Sequence, residues 1–310
     1  MRHIIMREPL LDEAEAQLER NFIVHRASTA AMLKEIKERV CITALITGGR
    51  TGASAEWISL LPALKLIAVN GVGLDAIDLT AASARHVLVT TTPDVLTDDV
   101  AEVAIGLILS CMRRITNADM YVRNGRWVAG EPFPLGTRLA GKRVGIVGMG
   151  KIGEAIAKRV STFNVDLGYF SRSIRPVMAT RFESLVDLAK WSEVLVVSVA
   201  ASADTRGLID ATILRALGPK GLLVNVARGS VVDEDALIDA LQTDQLGAAG
   251  LDVFADEPHV PTALCSMPNV VLMPHIGSAT TEARRAMAQI VVSNIINMDN
   301  PSRLIGIANP

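Results

Sequence analysis

An α/β protein of two doubly wound, parallel-sheet domains is predicted by three features of the sequence. At 310 residues the chain exceeds one average domain. Half of it is hydrophobic and only 21% is charged, a balance that suits well-buried cores rather than disorder. Short apolar runs alternate with helical patterns along most of the length, as βαβ units require.

The elements follow in order. Leu11 to Arg20 reads as a helix, Phe22-Ile23-Val24 as a strand and Ala30 to Arg39 as a second helix. Ile42 to Thr47, Leu66 to Asn70 and Val87 to Thr90 read as strands of the same small domain. A long helical pattern spans Asp98 to Met120, opened by Thr97-Asp98-Asp99 as cap and acidic first turn. From Gly141 a second series begins. Its strands are Val144 to Val147, Asp166 to Phe170, Val194 to Val199, Leu222 to Val226, Ala248 to Asp252 and Val270 to Met273. Glu154 to Val160 and Glu234 to Gln242 are helices between them, and Glu282 to Met298 closes the chain.

Within that second series, Val147-Gly148-Met149-Gly150-Lys151-Ile152-Gly153 carries a strand directly into a Gly-x-Gly-x-x-Gly turn. Gly148 permits the tight turn, Gly150 lets backbone approach a pyrophosphate, and Gly153 lets the next helix pack on the strand. That helix points unpaired N–H groups and its positive dipole end at the phosphates. Glycine turns also occur in methyltransferases and in plain loops. The flanking strand, helix and second strand favour a Rossmann-like dinucleotide site.

The second strand of such a unit normally ends in an acid that accepts from the ribose 2′-OH of NAD. Here Asp166 begins the strand instead of ending it, and the strand leads into Ser171-Arg172-Ser173, with Arg175 beyond. Arg172 is placed to pair with a 2′-phosphate while Ser171 and Ser173 donate to it, so NADP, as NADPH, is the expected cofactor. Otherwise Arg172 is a plain surface charge.

Ligands of open α/β sheets bind beyond the carboxyl ends of the strands. Arg228 follows the strand Leu222 to Val226, His275 follows Val270 to Met273, and Glu257 lies between them in Asp256-Glu257-Pro258. Each alone reads as a solvated or salt-bridged loop residue. Together they share the ligand edge of one sheet.

At this point the chain resembles the D-isomer-specific 2-hydroxyacid dehydrogenases, and among them the glyoxylate/hydroxypyruvate reductases. The resemblance rests on Asn70 to Asp75, Val147 to Gly153, Gly218 to Gly221, Asn225 to Asp233, Gly250 to Pro258 and Pro274 to Thr280, in family order. It implies a cofactor domain, residues 95–281, inserted into a substrate domain made of residues 1–94 and a returning helix, residues 282–310. It implies a catalytic trio. Arg228 would bind the 2-oxo acid and polarise its keto group. His275 would be the proton donor. Glu257 would hold the other ring nitrogen and stabilise the charged ring. The backbone N–H groups of Val72 and Gly73 are the implied second anchor for the substrate carboxylate.

Asp252 matches a position near the nicotinamide carboxamide. Further implied cofactor contacts are Met149, Lys151 and Ile152 in the turn, Val199, Ala200 and Thr205 near the adenine side, and Val226, Ala227, Arg228, His275 and Gly277 near the reacting end. One departure stands out. Where relatives carry a Pro-Leu-Thr-Pro-like turn this chain has Val199 to Thr205, and a looser turn is expected there. Formate dehydrogenases of the family place an amide where Glu257 stands, and phosphoglycerate dehydrogenases often carry regulatory domains and the ribose acid.

A net charge of −2 with no basic tract gives no reason to expect a nucleic-acid or anionic-membrane partner. The apolar windows are too short for a bilayer span, the N-terminus lacks a signal-peptide core, and a soluble, cytoplasmic protein is expected. The three cysteines form no C-x-x-C pair, and no metal site is suggested. Cys41 and Cys111 are expected as buried small hydrophobes. By resemblance the chain forms a homodimer, to which Ala101 to Met112 and Trp127 are candidate contributors, although that helix reads equally as core. The leading function is reduction of small 2-oxo acids such as glyoxylate and hydroxypyruvate. The alternative is a dinucleotide-sensing, corepressor-like regulator of the same fold. A methyltransferase would leave Arg228, Glu257 and His275 unexplained.

Overall fold

The computed structural model describes residues 1–309, which divide into two compact units. The first comprises Met1–Leu96 and the chain from Ala279 onward; the second is Thr97–Ser278.

The first unit runs β1 (Arg2–Met6), α1 (Asp12–Asn21), β2 (Phe22–Arg26), α2 (Ala30–Glu35), β3 (Ile42–Gly48), α3 (Ala55–Ser59), β4 (Leu66–Asn70), α4 (Leu79–Ala84) and β5 (Leu88–Thr90). Its five strands pair in parallel in the order β2-β1-β3-β4-β5. Strand β1 is an addition to the elements expected from sequence, its apolar run Ile4-Ile5-Met6 standing behind Arg2 and His3. Yet Ile4 and Ile5 are fully buried on opposite faces of the sheet, in separate core clusters. Each contributes about 1.5–3 kcal/mol of burial. The predicted helix Ala30 to Arg39 is interrupted at Ile36, whose extended backbone ends α2 before a 3-10 turn over Lys37–Cys41. That turn places Cys41 on the surface, which corrects the expectation of a buried thiol.

The second unit opens with α5 (Thr97–Arg113) and α6 (Ile115–Arg123). The sequence pattern reads these as one helix to Met120. They are two because Arg114 takes a left-handed conformation, φ 54° and ψ 40°, which breaks the ladder without any glycine or proline. The sheet then forms from β6 (Arg143–Val147), β7 (Asp166–Phe170), β8 (Thr180–Arg181), β9 (Val194–Val197), β10 (Leu222–Asn225), β11 (Ala248–Leu251) and β12 (Val270–Leu272). Covering helices are α7 (Lys151–Val160), α8 (Leu185–Trp191), α9 (Ala211–Leu217), α10 (Glu234–Gln242) and α11 (Thr262–Ser266). The strand order is β12-β11-β10-β9-β6-β7-β8, again all parallel.

The residues of β9 and β10 are buried throughout, as parallel strands covered on both faces must be. Helix α7 buries Gly153, Ile156, Ala157 and Val160, a stripe at helical spacing that faces the core. Cys111 on α5 is largely buried, and burial pushes its thiol pKa up to about 12. The last helix, α12 (Thr281–Ile296), returns to the first unit, where it packs on β4 and buries Ala288, Val291, Val292 and Ile295. Among the described residues no helix is long and apolar enough to cross a membrane.

Candidate active site

In the second unit the chain runs outward from β6 through β7 to β8, then returns to place β9 on the other side of β6. The strand order therefore reverses between β6 and β9, and the glycine turn sits at that point. Gly148 has φ +94°, and a Cβ there would lie 2.7 Å from backbone atoms of Val199. At Gly153 a Cβ would come within 2.1 Å of the Gly148 carbonyl oxygen, so only glycine allows α7 so close to the turn. Gly150 is the opposite case: no atom lies within 4 Å of its would-be Cβ, and space is open beside it. Gly150 caps α7 without a side-chain hydrogen bond, which leaves the first-turn N–H groups of Lys151 and Ile152 turned outward from the helix end. This turn fits a pyrophosphate.

Beyond β7, Arg172, Ser173 and Arg175 are exposed, while Ser171 donates from its hydroxyl to the Ser173 carbonyl. The Arg175 amide donates to the Tyr169 hydroxyl at 3.2 Å, which ties the loop to the strand. Asp166 is the first residue of β7. After β9, the segment expected to be loose is organised: Ser202 and Thr205 form a reciprocal cap around a short 3-10 turn, and the Thr205 hydroxyl donates to the Ala200 carbonyl at 2.9 Å. Serine and threonine supply locally what prolines supply by rigidity.

Arg228, Glu257 and His275 leave the carboxyl ends of β10, β11 and β12, three neighbouring strands. Each loop is held by hydrogen bonds of its own. Buried Asn225 accepts from the Ala227 amide through Oδ1 and donates to the Arg228 carbonyl through Nδ2, both at 3.0 Å. This side-chain turn sets the backbone of Val226, Ala227 and Arg228. The next residue, Gly229, lies so close to the following loop that a Cβ would be 1.9 Å from the Phe254 carbonyl carbon. Glu234, in the first turn of α10, accepts from the Ala255 amide at 3.0 Å. No role is expected of Asn225 or Glu234 from sequence; Asn225 organises its own turn, and Glu234 holds an amide that only tertiary structure brings within reach.

Glu257 uses both oxygens. Oε1 accepts from the Phe254 amide at 3.0 Å, and Oε2 lies 2.7 Å from His275 Nδ1. The carboxylate is therefore fixed before it meets the ring, and the pairing leaves Nε2 as the imidazole's working nitrogen. His275 itself has φ 55°, a left-handed conformation that is costly for a residue with a side chain. Asp252 holds it there. Its Oδ1 accepts from the Ile276 amide at 2.7 Å and its Oδ2 from the Gly277 amide at 2.8 Å. A Cβ on Gly277 would sit 3.0 Å from that Oδ2.

Burial of Asp252, which is 2% exposed, raises its pKa despite the two amides and the nearby His275, which pull the other way. A folded-state value above the unfolded one means that its contribution to stability is complete below the ordinary carboxylate range and shrinks as pH rises through the raised value. Asp252→Ala strands the buried Gly277 amide and is expected to cost about 1–3 kcal/mol. In urea denaturation the gap between wild type and variant should narrow as pH rises; a gap that widens would contradict the assignment.

Val72 and Gly73 belong to the first unit, in the loop after β4. All the other candidate residues named above lie in the second unit.

Comparison with known proteins places the chain in a family. Residues 105–277 match the family model described as the D-isomer specific 2-hydroxyacid dehydrogenase, NAD binding domain. The chain is 46% identical over 295 residues to a glyoxylate/hydroxypyruvate reductase of Arabidopsis thaliana, covering 94% of each chain. It is 44% identical to a 2-ketogluconate reductase of Gluconobacter oxydans, again covering 94% of each. Among solved structures, an NADPH-dependent glyoxylate/hydroxypyruvate reductase of Sinorhizobium meliloti, crystallised with NADP and malonate, superposes with a TM-score of 0.93 at 38% identity. That match covers 99% of this chain and 96% of the other. The regulatory alternative draws no support from these relatives, which are named as reductases.

Proposed function

The chain belongs to the D-isomer specific 2-hydroxyacid dehydrogenase family, and from that premise we propose that it reduces small 2-oxo acids, glyoxylate and hydroxypyruvate among them, with NADPH. The observation that carries the reading is the 2.7 Å pairing of His275 with a carboxylate that is itself anchored, one strand away from Arg228. The nicotinamide supplies the hydride. Arg228 presents parallel N–H groups to the substrate and draws electron density toward the keto oxygen. His275, charged and steadied through Nδ1, delivers its Nε2 proton to that oxygen as negative charge develops. Glu257 keeps the ring in the right tautomer. Val72 and Gly73 offer backbone N–H groups to the substrate carboxylate. On this reading residues 1–94 and 282–310 form the substrate domain and residues 95–281 the cofactor domain.

The preference for NADPH rests on exposed Arg172 at the end of β7, where no acid stands. Initial rates of glyoxylate reduction with NADPH and NADH at matched concentration test both levels of the proposal. Selective turnover with NADPH is expected, and Arg172→Ala should raise the KM for NADPH about 10-fold or more while leaving the KM for NADH within about twofold. Equal efficiency with both cofactors in the wild type would keep the reductase and remove the phosphate argument.

A homodimer is supported by the exposed apolar side chains Trp127, Val128 and Leu135, which follow α6. Helix α5 offers less, because Ala101, Ala104, Leu107 and Ile108 are spent on the core of their own unit. A cytoplasmic setting accords with NADPH supply and with three free cysteines.

A further inference from the structure

Two buried asparagines bracket residues 305–309 in the first unit. Asn294, 1% exposed on α12, pairs with Ile305 as a strand would: its Nδ2 donates to the Ile305 carbonyl at 2.9 Å, and its Oδ1 accepts from the Ile305 amide at 2.8 Å. Asn309 does the same to β5. Its Oδ1 accepts from the Val89 amide at 2.6 Å, and its Nδ2 donates to the Val87 carbonyl at 2.9 Å and the Ser83 hydroxyl at 3.3 Å. Between them the segment lies along β5, with Thr90 and Ile307 as an antiparallel bridge and the Ala308 amide donating to the Val89 carbonyl at 2.8 Å. A buried amide that lost its partner would be penalised for the water it gave up, so this strap is bound in one register.

From β5 the grip passes to the loop after β4. The Gly306 carbonyl accepts from the Thr91 amide at 2.9 Å and from the Thr91 hydroxyl at 3.2 Å. Gly306 has φ +72°, and a Cβ there would lie 2.5 Å from the Thr91 carbonyl oxygen and 2.7 Å from Pro93 Cδ, so only glycine brings the strap this close. The next residue, Thr92, is fully buried, and its amide donates to the Gly71 carbonyl at 2.9 Å. Packing holds Gly71 lightly: a Cβ there would meet the Gly49 nitrogen at an ordinary 3.7 Å and nothing nearer. The Gly71 carbonyl shares one planar trans peptide with the Val72 N–H, and in such a plane the two groups point in opposite directions. Whatever fixes the Gly71 oxygen therefore aims the Val72 amide.

We propose that the strap of residues 305–309 is a positioning element of the reaction: through Thr91 and Thr92 it aims the Val72 amide at the substrate carboxylate, with Gly306 and Asn309 as its positioning residues. The proposal rests on the reductase reading, in which the Val72 and Gly73 amides hold that carboxylate. A misaimed donor weakens the ground state and the transition state alike, so the loss falls on KM and not on kcat. The glycine turn that fits the pyrophosphate belongs to the second unit, so the KM for NADPH does not follow.

The test is steady-state glyoxylate reduction, with thermal unfolding alongside, in the wild type, Gly306→Ala, Asn309→Leu and Asn309→Asp. Leu18→Ala, a truncation of a fully buried core residue in the same unit, is the stability control. Gly306→Ala and Asn309→Leu should raise the KM for glyoxylate about 10-fold or more, with kcat within about threefold and the KM for NADPH within about twofold. Asn309→Asp keeps the acceptor for the Val89 amide and should fall between wild type and Asn309→Leu. Leu18→Ala should lower the Tm and leave the KM for glyoxylate unchanged. Strap variants that unfold earlier with a wild-type KM, a loss confined to kcat, or an equal rise of KM in Leu18→Ala overturn the proposal. If Asn309→Leu does not fold, the KM values of Gly306→Ala and Asn309→Asp decide. A wild type that binds NADPH and reduces neither glyoxylate nor hydroxypyruvate overturns the reductase reading, whereas a wild-type KM in the strap variants of an active enzyme overturns the strap's role alone.

Discussion

Arg228→Ala is expected to bind NADPH within about twofold of wild type and to lose at least ~10³ in kcat/KM for glyoxylate, about 4 kcal/mol of transition-state stabilisation. The size follows from what disappears: a charge-assisted, forked donor opposite a group whose negative charge grows during the reaction. The specificity of the effect follows from the local build. The Arg228 backbone is extended, with φ −144° and ψ 150°, and it is pinned by Asn225 and by the glycine contact at residue 229, so truncation at Cβ leaves the loop in place. Arg228→Lys keeps the charge and loses the fork, and is expected to recover less than a tenth of the activity. Near-normal turnover in the alanine variant would remove Arg228 from the chemistry.

The second large effect concerns the proton. His275→Ala should lower the rate of reduction by about 10² to 10⁴, with cofactor affinity retained. Glu257→Gln should cost less. The amide cannot accept from both the Phe254 amide and the ring without misplacing one of its own N–H donors. The decisive comparison is the double variant. Because Glu257 acts through the ring, His275→Ala with Glu257→Gln should be no slower than His275→Ala alone. Additive losses in steady-state rates would mean that Glu257 has a separate task.

Much of this was readable from residue types, and the reasons are local. Gly148 and Gly153 announce themselves because no other residue tolerates φ +94° or a carbonyl 2.1 Å from its Cβ. The fold class is visible because parallel strands leave continuous apolar runs, and Arg228, Glu257 and His275 stand out because polar groups follow those runs at the ligand edge. Where the reading stops, the cause is tertiary. Nothing in Arg113-Arg114-Ile115 marks a helix break, since the left-handed residue is an arginine and not a glycine. Ile4-Ile5-Met6 is fixed as a strand by neighbours that pair with it on both sides. Glu234 and the double acceptance by Asp252 serve backbone amides distant in sequence, so their residue types alone carry no sign of the task.

The grip of Asp252 on the two amides after His275 also sets which positions an engineer is free to change. A carboxylate that recognises main chain is indifferent to the side chain mounted on it, so Ile276, 39% exposed, is open to diversification toward larger or polar residues. Its neighbour is closed. A methyl group at 277 would crowd the Asp252 oxygen at 3.0 Å and the Val100 Cγ2 at 3.3 Å. Adjacent residues in one loop thus divide into a variable position and an invariant one, and a library aimed at new substrates gains its diversity from the first only while the second is left as glycine.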